Sequence, residues 1–352
     1  MNFVVAQASK MANTDRQLFA IAAQDPELAG IPVTQSFRHL RLPYGLRRRT
    51  YPVADRTVGA SLAAWRPDVI NLHFLALGGF AARAARHARV PLVTTVHALE
   101  PFLMTTPTTP RERYLARDAW SAFHSTHLML AVSNYIASWL VDLGFDASRV
   151  HTCYLGVDTE FWSPNTPSLT RARARRLLFV GHLTELKGIR DAVAASTQLQ
   201  ADLPHTLEVV GDGPLREEME EIAARSPHVK LLGLQSREDV RQALGRSTAL
   251  VLPTQPRDGI EDAAPTVLAE AQSMGVPVIA YDVGGTREMV APSQQLVPVH
   301  DRSALAKKIA ETLNMDRDQY ASLASSSREW IRANRDLGAC AARARDLMAG
   351  LI

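Results

Sequence analysis

Residues 258–290, DGIEDAAPTVLAEAQSMGVPVIAYDVGGTREMV, hold the side chains best suited to chemistry. Asp258, Glu261 and Asp262 make an acidic loop, Ala263, Ala264 and Pro265 follow it, and Glu270 lies further on. The pattern from Pro265 to about Met274 predicts a helix that Gly275 stops. Proline at the first helical position leaves the next N–H groups pointing out of the helix start, with Ala264 and Thr266 beside them. Those donors, aligned with the helix dipole, suit a phosphate or an electron-rich sugar oxygen. Asp262 in the loop and Glu270 a turn and a half inside the helix can converge on one polyhydroxylated ligand, because carboxylates accept from paired hydroxyls. A capping aspartate with a solvent-facing glutamate gives the same pattern, so these residues alone leave both readings open.

The elements around this stretch set its context. A chain of 352 residues with 46% apolar content has room for two α/β domains with separate cores. The net charge of +3 is unevenly spread: residues 1–165 hold 16 Lys and Arg against 12 Asp and Glu, the remainder 23 against 24. This basic excess in the first half suits an anionic partner such as a lipid headgroup and is too weak to argue nucleic acid. Cys153 and Cys340 are the only cysteines, which fits two free thiols in a reducing compartment. No apolar run approaches the roughly 20 residues a membrane span needs. The opening MNFVVAQASKMANTD lacks the pattern of a signal peptide, so a cytoplasmic location is expected.

Strand and helix signals alternate along most of the chain. Gln17–Ala23 and Ile31–Leu40 read as strands, Arg56–Trp65 as a helix, and Asp68–His73 as a buried strand. Gly78 and Gly79 precede a helix with Arg83, Arg86 and Arg89 on one face. Both this face and the cluster Arg47-Arg48-Arg49 read as solvated surface or as an anionic-lipid contact. A strand at 91–96 ends on His97, and Ser133 is placed to cap a helix over 134–143. Residues 163–167, SPNTP, read as a linker. A second alternation follows: a strand at 177–181, a loop at 182–187, a helix at 188–200, and a strand at 207–210 ending in Gly211-Asp212-Gly213-Pro214. Further strands fall at 229–232 and 249–252, and the last fifty residues are helical. Repeated strand-then-helix order means parallel sheets with ligands at the carboxyl ends of the strands.

Four stretches, taken in order, resemble one family. AVSNYIASWLVDLGFDASRVHTCYLGVDTEFWSP (131–164) is similar to the segment closing the first domain of retaining family 4 glycosyltransferases. VGHLTELKG (180–188) resembles the phosphate loop of their second domain, VVGDGPLREEM (209–219) the glycine turn after it, and the acidic stretch the Glu-x7-Glu donor motif. Each match is weak alone, but the ordered set, running from about residue 65 to the C-terminus, is specific. The resemblance implies an α/β fold of the GT-B type, two Rossmann-like doubly wound domains facing a cleft. Residues 1–165 would form the acceptor-side domain and 172–326 the nucleotide-sugar domain. Residues 327–352 would be helices packing back toward the first. Family members open with a strand, a glycine-rich loop and a long helix. Here QLFAIAAQDPEL already resembles their second strand, so the first domain is expected to be shortened at its N-terminus or the recorded start to lie downstream of the true one.

The resemblance also implies roles. Lys187 would neutralise the donor diphosphate, and a cation beside a helix start without an anion opposes the dipole. Gly181 and His182 belong to the same loop; His182 replaces the family's arginine, removing a permanent bidentate cation. Gly211 and Gly213 would allow close backbone approach. Glu270 would hold the nucleotide ribose, and the base would lie near Leu232–Gln235, including Leu234. Asp262 takes the place of the glutamate that contacts the donor sugar, one methylene shorter, with Ala263 for the usual glycine and Glu261 as an alternative reach. Ala264, Pro265 and Thr266 would present the helix start to the diphosphate. His97 would face the donor sugar, although a satisfied core histidine fits it too; Glu100 and His73 are lesser candidates. The catalytic set implied is His97, Lys187 and Asp262.

The reaction implied is sugar transfer with retention from a nucleotide diphosphate sugar to an acceptor hydroxyl, in cell-envelope or exopolysaccharide biosynthesis. No Asp-x-Asp motif is evident, so no metal and no cofactor beyond the donor substrate is expected. The acceptor would be a glycan or a lipid-linked glycan, with peripheral membrane contact through the basic first half and no nucleic acid. The alternatives are a nucleotide-sugar-binding homologue with reduced or no turnover, and another GT-B enzyme such as an epimerase or a phosphorylase.

Overall fold

A computed structural model describes residues 7–11, 14–15, 18–20, 27–28, 31–35, 64–76, 78–97, 100–164 and 175–352. The expected helix at 56–65 (except its last two residues), the cluster Arg47-Arg48-Arg49, much of the segment before Leu18 and the linker from residue 165 lie outside them. Contacts divide the chain into two units, Met1–Gly156 with Leu337–Ile352, and Val157–Asp336.

In the first unit, β4 (Ile70–His73), β5 (Leu92–Val96), β6 (Leu128–Ala131) and β7 (Val150–Thr152) form a parallel sheet in the order β4-β5-β6-β7. All of β5 is buried, as expected of a strand covered on both faces. A separate sheet pairs β1 (Leu18–Ala20) in parallel and β2 (Glu27–Leu28) antiparallel with β3 (Ile31–Gln35). The crossovers are α1 (Gly79–Ala88), α2 (Glu100–Thr105), α3 (Pro110–Ser125) and α4 (Asn134–Asp142). Ser133 caps α4, its hydroxyl accepting from Ile136 N. The last helix, α11 (Leu337–Ala349), packs Ala341, Ala344 and Met348 against Val93, Leu128, Leu130 and Cys153. Cys153 and Cys340 are free and buried, and burial pushes the Cys153 thiol up to about 12, which makes it inert.

The second unit has one five-stranded parallel sheet in the order β10-β9-β8-β11-β12. The strands are β8 (Arg176–Val180), β9 (Thr206–Val210), β10 (Val229–Gly233), β11 (Ala249–Val251) and β12 (Val278–Ile279). Helices α5 (Ile189–Leu199), α6 (Arg216–Arg225), α7 (Arg237–Arg246) and α8 (Thr266–Ser273) cross between them, and α9 (Arg302–Leu313) and α10 (Arg317–Asn334) follow. Helix α10 straddles residue 326 and belongs wholly to this unit, where Ile331 is fully buried. The chain leaves the central strand β8 toward β9 on one side and toward β11 on the other. That reversal opens a crevice outside the carboxyl ends of β8 and β11.

Helix α5 is anchored at that crevice. Asp191 in its first turn is 2% exposed and accepts from Tyr281 Oη at 2.9 Å and Arg302 Nε at 2.6 Å. Gly188 caps the helix at φ 69°, and a Cβ there would lie 1.8 Å from the Pro253 carbonyl oxygen. Gly188→Ala is therefore expected to cost about 2–4 kcal/mol of stability, through left-handed strain and a backbone collision, read as a lowered melting temperature. A melting temperature equal to the parent's would show that the loop and strand relax freely.

Candidate functional site

The loop after β8 is held on both sides. Gly181 N donates to Val210 O at 3.0 Å and Leu183 N to Asp212 O at 2.9 Å. Gln255 N donates to Leu186 O at 2.9 Å, and Gln255 Nε2 to Glu185 O at 3.0 Å. Glu185 also takes ion pairs from Arg257 and from Arg190, and Arg190 grips Glu218 through Nε and Nη2 at 2.7 and 2.6 Å. The loop thus presents Lys187 from a fixed frame. Its ammonium pairs with Asp262 Oδ2, joining residues 75 apart in sequence. His182 is exposed. Gly211 and Gly213 make their close approach to this loop and not to open space: Cβ atoms there would fall 1.9 Å from Gly181 O and 2.7 Å from Leu183 O.

The acidic loop after β11 turns through an Arg257–Ile260 bridge and is tied down where Gly285 N donates to Asp262 O at 2.9 Å. Pro265 is the N-cap of α8 and not its first residue, at φ −70° and ψ 89°. No side chain caps this helix, so the N–H groups of its first turn point outward whichever position proline takes. Ala264 and Thr266 beside it are half-buried, as are Glu261 and Glu270.

The Glu270 carboxylate has no hydrogen-bond partner among the described residues, although its backbone carbonyl accepts from Met274 N at 3.2 Å. Burial pushes its carboxyl up to about 7, against the opposing pull of Arg237. Arg237 was not singled out by sequence. Its guanidinium lies 4.0 Å from the Phe161 ring centroid and 5.3 Å from that of Trp162, an arrangement suited to cation–π attraction. The available signal was the capping box of Ser236 and Asp239, which puts Arg237 in the first turn of α7. Leu234, in the loop before it, is 75% exposed. The two carboxylates therefore have different neighbours: Asp262 is paired with Lys187, and Glu270 stands toward the start of α7.

In the first unit, His97 follows β5 and is 7% exposed. Its Nε2 lies 2.9 Å from His73 Nδ1. Burial, and then His73, hold His97 down to about 2, while burial holds His73 down to about 4. Both rings are neutral at physiological pH. Glu100 opens α2, and its side chain lies outside the described residues.

Two family models match the chain, "Glycosyltransferase Family 4" over residues 3–161 and "Glycosyl transferases group 1" over residues 174–315. The putative colanic acid biosynthesis glycosyltransferase WcaL of Escherichia coli (strain K12) is 26% identical over 316 residues, 86% of this chain and 76% of its own. The putative teichuronic acid biosynthesis glycosyltransferase TuaC of Bacillus subtilis (strain 168) is 30% identical over 254 residues, 68% of this chain and 59% of its own. The chain thus spans less than two thirds of that relative. A crystal structure of Anabaena Alr3699/HepE in complex with UDP superposes with a TM-score of 0.80 at 19% identity, covering 99% of this chain and 96% of that one. The chain belongs to the group 1, family 4 glycosyltransferases, and its two α/β units have the GT-B fold.

Proposed function

We propose that this glycosyltransferase moves a sugar, with retention, from a nucleoside diphosphate sugar to an acceptor hydroxyl during assembly of an envelope or exopolysaccharide glycan. The observation that carries this reading is a cation and a carboxylate presented by the segments that follow the carboxyl ends of β8 and β11. Lys187 stands at the start of α5, and Glu270 lies in α8 with no hydrogen bond to its carboxylate among the described residues. A diphosphate suits the first and a ribose diol the second. The names of WcaL and TuaC support the glycan class, and the UDP bound by HepE supports the donor class.

In this reading Lys187, with the first-turn amides of α8, stabilises the charge that gathers on the departing diphosphate, a task that needs no metal. Gly181 and His182 border the phosphates, and Gly211 and Gly213 pack the loop that presents Lys187. The loop at Leu234 receives the base. Asp262 and Glu261 are the second unit's contacts for the donor sugar, and His97 is the first unit's candidate for a sugar contact. The acceptor is a glycan or a lipid-linked glycan. The protein works in the cytoplasm and docks on anionic lipid through the first unit, where Arg83, Arg86 and Arg89 are all exposed. No helix among the described residues is long and apolar enough to cross a membrane.

The test is release of nucleoside diphosphate from a panel of UDP-, GDP- and ADP-sugars. It is run with and without polyprenyl-linked acceptors in vesicles containing anionic lipid, with co-sedimentation read in parallel. Release stimulated by acceptor is expected. Binding of the nucleotide sugars without release would instead identify a homologue without turnover, and epimerisation without acceptor an epimerase.

A further inference from the structure

Strand alternation places Asn71 and His73 of β4 on one face, and Thr95 and His97 continue β5 with the same two-residue step. The parallel register sets His73 beside Thr95, so all four side chains meet at the carboxyl end of this sheet. Thr95 Oγ1 donates to Asn71 Oδ1 at 3.0 Å. With the amide oxygen turned to Thr95, Asn71 Nδ2 faces His73 Nε2 at 3.3 Å. An amide nitrogen only donates, so His73 Nε2 accepts and the His73 proton sits on Nδ1. That proton points at His97 Nε2, 2.9 Å away. His97 Nε2 is therefore an acceptor, and its own proton sits on Nδ1.

The ring is held sterically as well. The Phe74 ring lies 4.5 Å from His97, and the His73 ring meets His97 end-on, with centroids 5.1 Å and planes 24° apart, as a hydrogen bond in the ring plane requires. Phe74 takes φ 72°, a left-handed conformation rare for a bulky residue and found where surroundings over-determine it. Its N–H donates to Thr95 O at 3.1 Å, which locks the turn against the same strand.

We propose that Asn71 and His73 are positioning residues. The row that begins at Thr95 fixes His97 in one orientation and one tautomer, making it a hydrogen-bond donor through Nδ1 and not a group that takes up the acceptor's proton. The inference rests on the reading of His97 as a donor-sugar contact. Burial of both rings supports it by keeping them neutral. Sequence placed His73 only among lesser candidates and did not single out Asn71.

The test uses the full chain labelled with 15N in its histidine rings. Long-range 1H–15N spectra, with His97 assigned by the loss of its signals in His97→Gln, are expected to show Nδ1 protonated and Nε2 bare. In His73→Phe, which keeps ring bulk but removes the donor, that preference is lost. In His73→Gln, which keeps a donor, it is retained. With UDP-glucose as probe, kcat for UDP release should fall ~10–100-fold in His73→Phe with KM within ~3-fold, and recover most of the way in His73→Gln. A wild-type His97 protonated on Nε2, or a His73→Phe variant with parental tautomer and kcat, overturns the proposal. Failure to turn over any nucleotide sugar defeats the proposed function instead, and the tautomer measurement still decides this inference.

Discussion

Lys187→Ala is expected to lower kcat/KM for nucleoside diphosphate release by at least ~100-fold, the loss typical when one preorganised stabiliser of a developing anion is removed. Lys187 is paired with Asp262, whose side chain is 12% exposed against 24% for the lysine. In the proposed site a diphosphate joins or displaces Asp262 at the lysine's three donors, and the carboxylate serves the sugar. Alanine removes the cation and leaves the carboxylate beside the phosphate position, where like charges repel. The companion variant separates the two roles. Asp262→Asn frees the ammonium, so UDP alone should bind as tightly as to the parent or more tightly, while sugar turnover falls. Calorimetry with UDP, together with product release, reads both quantities. Parental UDP affinity in Lys187→Ala would remove the lysine from the phosphate site.

Glu270→Gln is expected to weaken UDP binding by ~10–100-fold, because charge-assisted bonds to the ribose hydroxyls become neutral ones, a loss of roughly 1.5–3 kcal/mol. The same change should stabilise the free protein, with a definite pH dependence. Burial raises the folded carboxyl from 4.5 to about 7. Below about pH 4.5 both folded and unfolded chains hold the proton, and Glu270 contributes nothing. As pH rises toward 7 the unfolded chain ionises first, so the folded state is progressively penalised. The full cost, about 1–3 kcal/mol, is present above pH 7. Thermal melts of parent and variant should coincide near pH 4.5 and separate, the variant being more stable, at pH 8. Coincidence at both values would mean that the carboxyl is solvated in the free protein.

Much of this protein was determined by local pattern. The alternation of strands and helices reports burial on both faces of parallel sheets, and it reads from single windows of sequence. Ser133 as a helix cap and Glu270 inside α8 follow from residue types a few positions apart. The four family-like stretches located the loop after β8 and the acidic loop after β11 because each is contiguous. What only the tertiary structure decided is the partner of each polar group. Lys187 and Asp262 are 75 positions apart, and nothing in either segment shows that they pair. Gly211 and Gly213 read as allowing close backbone approach, and the backbone beside them is that of Gly181–Leu183. Arg237 lies on Phe161, and the His73–His97 contact spans 24 residues. Periodicity records which side of an element is buried. Hydrogen-bond direction, tautomer and ion pairing depend on which distant groups the packed sheets bring within about 3 Å, and those contacts form only on folding.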